Sequence, residues 1–141
     1  MKYQSGGAFR RALEDRLLAN SKSNGVPLIR LRKMVAFDRF LARLKQSYPG
    51  QWFLKGGYAL QLRLGNKART TIDIDILMIS NKKSLYDILL KASKYDLGDW
   101  FTFEIEQPDT NQLNDFGGLR FNLTSLLDGR RFEQFHLDIG V

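Results

Sequence analysis

Apolar residues recur at helical spacing from the start of the chain. Ala8 to Asn20 (AFRRALEDRLLAN) places Phe9, Ala12, Leu13 and Leu17 on one face with charges elsewhere, which predicts a short amphipathic helix broken by SKSNGVP. From Leu28 to about Tyr48 a longer helix carries Leu31, Val35, Phe37, Phe40, Leu41 and Leu44, its remaining surface covered by Arg30, Arg32, Lys33, Arg39, Arg43 and Lys45, and Pro49-Gly50 ends it. The pattern then changes to short strands. Trp52 to Leu54 reads as a strand stopped by Gly56-Gly57, Tyr58 to Leu64 as a helix closed by Gly65, and Ile72 to Ile79 as a β-branched strand. Ser84 to Lys94 is helical. Phe101 to Glu106, Leu119 to Leu123 and Phe132 to Ile139 alternate as strands, with Asp128-Gly129 a hairpin turn before the last. The expected fold class is α/β (α+β): two N-terminal helices, then a mixed sheet of about five strands packed with helices, in one domain spanning residues 1–141. Residues 1–49 form a helical part and residues 50–141 an α/β core.

The strand at Ile72 to Ile79 contains a tension, because Asp73 and Asp75 interrupt an otherwise apolar run. Alternation puts both carboxylates on one face, roughly 7 Å apart at Cα, with Ile72, Ile74 and Ile76 on the other. Like charges that close disfavour each other's ionised form unless a cation compensates. Mg²⁺ (or Mn²⁺) is the natural choice, a hard ion held by carboxylates and substrate phosphates and suited to phosphoryl transfer. A third acidic ligand is expected from another strand. Asp138 fits, because HLDIGV repeats the motif of a lone Asp among apolar residues. His136 shares its face, yet Mg²⁺ disfavours nitrogen, so a structural role near the site is the more natural reading.

Upstream, Gly56-Gly57 lies between a strand and a helix, where backbone N–H groups reach phosphate oxygens with no Cβ in the way. Lys55 or Arg69 adds positive charge there. Alone, such a turn is equally a tight strand–helix connection. Gly65-Asn66-Lys67-Ala68 lacks the spacing and the hydroxyl of a P-loop.

Composition sharpens this picture in two places. The 141 residues include no cysteine, which removes disulfides and thiolate metal sites and makes a cytoplasmic setting the simpler expectation. No apolar run is long enough for a membrane span, so no membrane partner is expected. The net charge of +7 is concentrated: up to Pro49 there are 11 Lys/Arg against 3 Asp/Glu, and beyond it 11 against 12. Such a basic part attracts phosphate backbones, or serves only solubility as solvated helix faces.

A Gly-Gly turn before a helix, then Asp-x-Asp on the next strand and a later strand Asp, resembles the active-site pattern of the nucleotidyltransferase superfamily with the polymerase β-like fold. Within it, LKGGYALQLRLGNKARTTIDIDIL resembles the core motif of AbiEii-type nucleotidyltransferases, toxins of type IV toxin/antitoxin systems. FDRFLARL and GGLRFNLTSLLDGRRFEQFHLDIGV extend the similarity over most of the chain. The resemblance implies Asp73, Asp75 and Asp138 as catalytic, metal-binding carboxylates and Lys55, Gly56, Gly57 and Arg69 as the nucleotide-phosphate site. It implies transfer of an NMP from an NTP to an acceptor, RNA such as the tRNA 3′ end, and neutralisation by a cognate antitoxin protein. The basic helices would then meet the RNA or an acidic antitoxin. Gly57 stands where the superfamily commonly has Ser, and the loop-to-Asp73 spacing suits this subfamily rather than the superfamily. Family members continue into a C-terminal helical region with a further basic catalytic residue, so the chain is expected to be the N-terminal catalytic part of a longer protein. The alternatives are a catalytically incompetent nucleotide- or RNA-binding module of the same fold and, more simply, an exposed polar face on an edge strand.

Overall fold

The computed structural model describes residues 3–55, 73–78, 85–106 and 119–140. Helix α1 (Gly6–Asn24) begins where the Ser5 hydroxyl accepts the Ala8 N–H at 3.1 Å, satisfying one of the donors that a helix start leaves open. It ends at Gly25, whose φ of 68° is left-handed and whose N–H bonds the Ser21 carbonyl. The helix therefore continues through SKSN, beyond the expected end at Asn20, because nothing there prevents helical backbone before Gly25. Helix α2 (Leu28–Ser47) follows Pro27 and buries Ala36, Phe37, Phe40, Arg43 and Leu44.

Among the described residues, five strands form one mixed sheet: β1 (Trp52–Lys55), β2 (Asp73–Met78), β3 (Phe101–Ile105), β4 (Leu119–Leu127) and β5 (Arg130–Gly140), in the order β1-β2-β5-β4-β3. β2 and β5 run parallel, and the other neighbours are antiparallel. Helix α3 (Leu85–Ser93) precedes β3. The predicted helix at Tyr58–Leu64 lies outside the described residues. β4 continues past its expected end at Leu123 with its alternation intact to Leu127, and the register shift opposite Ser125 and Leu126 is taken up by an extra residue of β5, Phe132. The Asp128-Gly129 turn is present, both residues with positive φ (55° and 78°), the geometry that a two-residue hairpin needs.

One sheet face carries the core. Ile74, Ile76 and Met78 of β2, Phe121 and Leu123 of β4, and Phe135, Leu137 and Ile139 of β5 are buried against α2 and α3. Aromatic rings fasten α2 to the sheet edge-on, Phe37 to Phe135 (5.2 Å) and Phe40 to Phe103 (5.4 Å), while Phe101 meets Phe132 (5.5 Å) across the sheet face.

At least five of the eleven N-terminal cations bond to the chain itself. The Arg10 guanidinium collects the carbonyls of Leu127 (2.8 Å), Arg130 (3.2 Å) and Arg131 (3.1 Å), clipping α1 to the β4–β5 hairpin. Arg32 pairs with Glu14 across the two helices, and Lys33 donates to the Gln134 carbonyl. Arg43 is fully buried and grips Asp99 with both nitrogens (3.0 and 2.6 Å) while donating to the carbonyls of Phe101 and Arg39. Arg39 joins the same carboxylate at 3.3 Å. Burial alone would raise the Asp99 pKa, but the Arg43 hydrogen bonds and charge, the Phe101 N–H and the Arg39 charge together hold it below the usual aspartate value.

Candidate active site

The face of the sheet opposite α2 carries the charged residues of the middle strands, because strand alternation leaves it the residues that the core does not take. Lys55 pairs with Asp75, Asp75 with Asp138, and Asp138 with Arg120. These four stand in one row across β1, β2, β5 and β4, with two carboxylates in the middle and a cation at each end. The next row holds Asp73, His136 and Asn122. Neighbouring strands lie only about 4.8 Å apart, so the parallel β2–β5 pairing brings Asp75 and Asp138 side by side although the chain separates them widely.

Asp138 is well buried for a carboxylate, its side chain 11% exposed, and Arg120 holds it with a two-pronged pair: Nε to Oδ1 at 2.7 Å and Nη2 to Oδ2 at 3.0 Å. This planar fork is the strongest form of the arginine–carboxylate contact. The cation that makes adjacent acids tolerable is thus partly supplied by the protein. Arg120 is absent from the expected site, where Mg²⁺ alone balances the acids. Its signal was nonetheless legible, a lone arginine alternating with Leu119 and Phe121 on a strand.

Lys55 ends β1 and is exposed, with its Nζ close above Gly140 on the same face. Asp73 is placed by the β2 backbone beside His136, while its side chain lies outside the described residues, as do Gly56, Gly57 and Arg69 altogether. The structure therefore brings Lys55, Asp75 and Asp138 together from the sequence-predicted set and adds Arg120. Among the described residues, no group of three or more His, Cys, Asp or Glu is arranged to hold a metal ion. The Asp75–Asp138 pair is nevertheless an all-oxygen donor set of the kind that hard divalent ions take, and a carboxylate bound by arginine keeps lone pairs for a second partner.

The basic helices do not share this face. α2 packs on the core side through Phe37 and Phe40, so the sheet stands between it and the carboxylates. Arg10, Arg32, Lys33, Arg39 and Arg43 make bonds within the chain, so these five cations serve the fold as well as the surface. A cavity of about 710 Å³ lined by Tyr95, Trp100, Phe101 and Phe103 also lies away from the carboxylates, at the α3–β3 turn.

A mixed sheet with helices on one face and paired acids on the other is a nucleotidyltransferase architecture. The chain superposes on MenT4, a nucleotidyltransferase toxin from Mycobacterium tuberculosis, with a TM-score of 0.60 and 20% sequence identity, covering 92% of this chain and 43% of that one. That likeness shows the fold, and the chain spans less than half the length of that toxin. Residues 39–141 match the family model of the nucleotidyl transferase AbiEii toxin of type IV toxin/antitoxin systems, and the chain belongs to that family. No curated protein sequence matches it. Among the described residues, no helix is long and apolar enough to cross a membrane.

Proposed function

We propose that this chain forms the catalytic sheet of a nucleotidyltransferase that moves an NMP from an NTP to an acceptor hydroxyl, acting as the toxin of a toxin/antitoxin pair. The observation that carries the reading is the register placing Asp75 beside Asp138 with Lys55 and Arg120 at the flanks. Asp73, Asp75 and Asp138 would hold Mg²⁺ (or Mn²⁺), which when bound supplies positive charge for the triphosphate and the reacting oxygens. Lys55, Gly56, Gly57 and Arg69 would bind the phosphates on the β1 side. Arg120 fixes the orientation of the Asp138 carboxylate and offsets its charge. In the reaction, the acceptor oxygen bonds to the α-phosphorus, the bond to the β-phosphate bridging oxygen breaks, pyrophosphate leaves, and the hydroxyl proton passes to water. The chain's contribution is positioning and fixed charge.

RNA such as the tRNA 3′ end is the acceptor class we favour, and a cognate antitoxin is the protein that neutralises the activity in a cytoplasmic setting. The test is Mg²⁺-dependent incorporation of labelled NTP into total RNA, with Asp75→Ala and Asp73→Ala as controls. Incorporation lost in both variants supports the reading. Binding of NTP without incorporation would instead favour the non-catalytic binding module.

A further inference from the structure

Five large hydrophobic side chains stand exposed among the described residues, and two of them, Phe53 (57%) and Leu77 (39%), are cross-strand partners. Both face the carboxylate side, since Trp52, Leu54, Ile76 and Met78 alternate with them toward the core. Leu77 pairs in turn with Gly140, above which the Lys55 Nζ and the Leu77 Cδ1 close in; a Cβ on Gly140 would meet them at 3.5 and 3.7 Å. A low apolar shelf, Phe53–Leu77–Gly140, therefore borders the charged row Lys55–Asp75–Asp138–Arg120. The two rows are one alternation step apart, roughly 7 Å along the strands, and the Lys55 side chain reaches from one toward the other.

An exposed aromatic ring beside an aliphatic side chain is a surface for something flat and apolar. Two side chains are too few to seat a protein, whose stable interfaces bury about 800 Å² on each partner. They suit the face of one nucleobase, and the adjoining Lys55 suits the phosphates attached to it. We propose that the Phe53–Leu77 shelf receives the base of the nucleotide whose phosphates lie along the charged row, with the Phe53 ring stacked on the base. The inference rests on the reading of that row as a nucleotide site.

The test uses the full chain and three forms: wild type, Phe53→Ala and Phe53→Trp. Dissociation constants are measured by calorimetry with Mg²⁺ for ATP, GTP, CTP and UTP in turn and for inorganic tripolyphosphate, which has charge but no base. The expected result is that wild type binds at least one NTP more tightly than tripolyphosphate. Phe53→Ala should lose about tenfold in NTP affinity, within the range of a lost base–aromatic stack, with tripolyphosphate binding unchanged. Phe53→Trp should keep the NTP affinity, its added indole emission quenched by NTP and not by tripolyphosphate. NTP affinity unchanged in Phe53→Ala, or indole emission in Phe53→Trp indifferent to NTP, overturns the shelf as a base site while leaving the row as a phosphate site. Wild type that binds neither ligand removes the nucleotide reading of the row, and this inference with it.

Discussion

Replacing Asp99 with alanine would isolate a guanidinium that has no other escape. Arg43 is 0% exposed, and its charge is met by Asp99 at 2.6 and 3.0 Å and by the Phe101 and Arg39 carbonyls. Arginine cannot shed its proton in a protein interior, so Asp99→Ala leaves a buried cation with only neutral acceptors. Removing one partner of a buried pair costs about 3–5 kcal/mol, and this variant should fall at the upper end. The reverse change, Arg43→Met, should fall at the lower end, because Asp99 can take up a proton and keeps the Phe101 N–H at 3.1 Å and Arg39 at 3.3 Å. For a domain of this length a loss of about 4 kcal/mol lowers Tm by roughly 10 °C or more. It also removes a large part of a typical total stability of about 5–15 kcal/mol.

Acidity gives a second handle on the same pair. The folded Asp99 pKa is lowered, so its contribution is full above the ordinary aspartate value of about 3.9 and is lost as pH falls from there through the lower folded value. Urea unfolding followed by circular dichroism at pH 7 and across pH 2 to 5 reads both effects. Wild type should lose stability on acidification by more than Asp99→Ala does. Equal unfolding free energies for wild type and Asp99→Ala, or a larger loss in Arg43→Met than in Asp99→Ala, would refute the reasoning.

Three more substitutions probe other parts of the molecule. Gly6→Ala should destabilise by about 1–3 kcal/mol, because its Cβ would press on the Asp128 carboxylate and come within 2.8 Å of the Trp100 ring, whereas Gly7→Ala, with Asp128 at 3.7 Å, should gain up to about 1 kcal/mol from helix propensity; thermal melts of the two variants decide. Arg120→Gln should lower Tm by less than Asp99→Ala does, because the arginine is 42% exposed although the Asp138 carboxylate it leaves is only 11% exposed, and it should cut nucleotide incorporation at least tenfold if Arg120 orients Asp138. Arg10→Ala should raise amide hydrogen exchange in the β4–β5 hairpin near Leu127 and Arg130 more than in β2, because three carbonyls lose their donor there.

Alternation made much of the site legible. The face of Asp73 and Asp75 follows from a period of two, and the same parity places His136 and Asp138 together, so burial of Ile74, Ile76, Leu137 and Ile139 agrees with the pattern. What alternation cannot encode is adjacency. Nothing local in IDIDIL or HLDIGV says that β2 and β5 pair in parallel, in the register that sets Asp75 against Asp138, because that choice is made by the packing of the whole sheet on α2 and α3. Arg43 departs from the expected charged surface of α2 for a different reason. It lies three residues after Phe40 and one before Leu44, on the apolar stripe, where a charge has to bring its own counter-ion. The charge total of the N-terminal part was accurate, yet it overstated the charge offered to a partner, since several of those cations act as internal ties.

The position of β5 inside the sheet also sets a schedule. The ribosome makes β1, β2, β3 and β4 first, yet β2 and β4 have no link to each other until β5 arrives to lie between them. Until that strand is made, the growing chain consists of two separate strand pairs, and long-range pairing of this kind closes slowly. Asp138 arrives with the same strand. A half-finished chain thus contains Asp73 and Asp75 but not Asp138, so the row that sets Asp75 against Asp138 is completed only when the last strand of the sheet is paired.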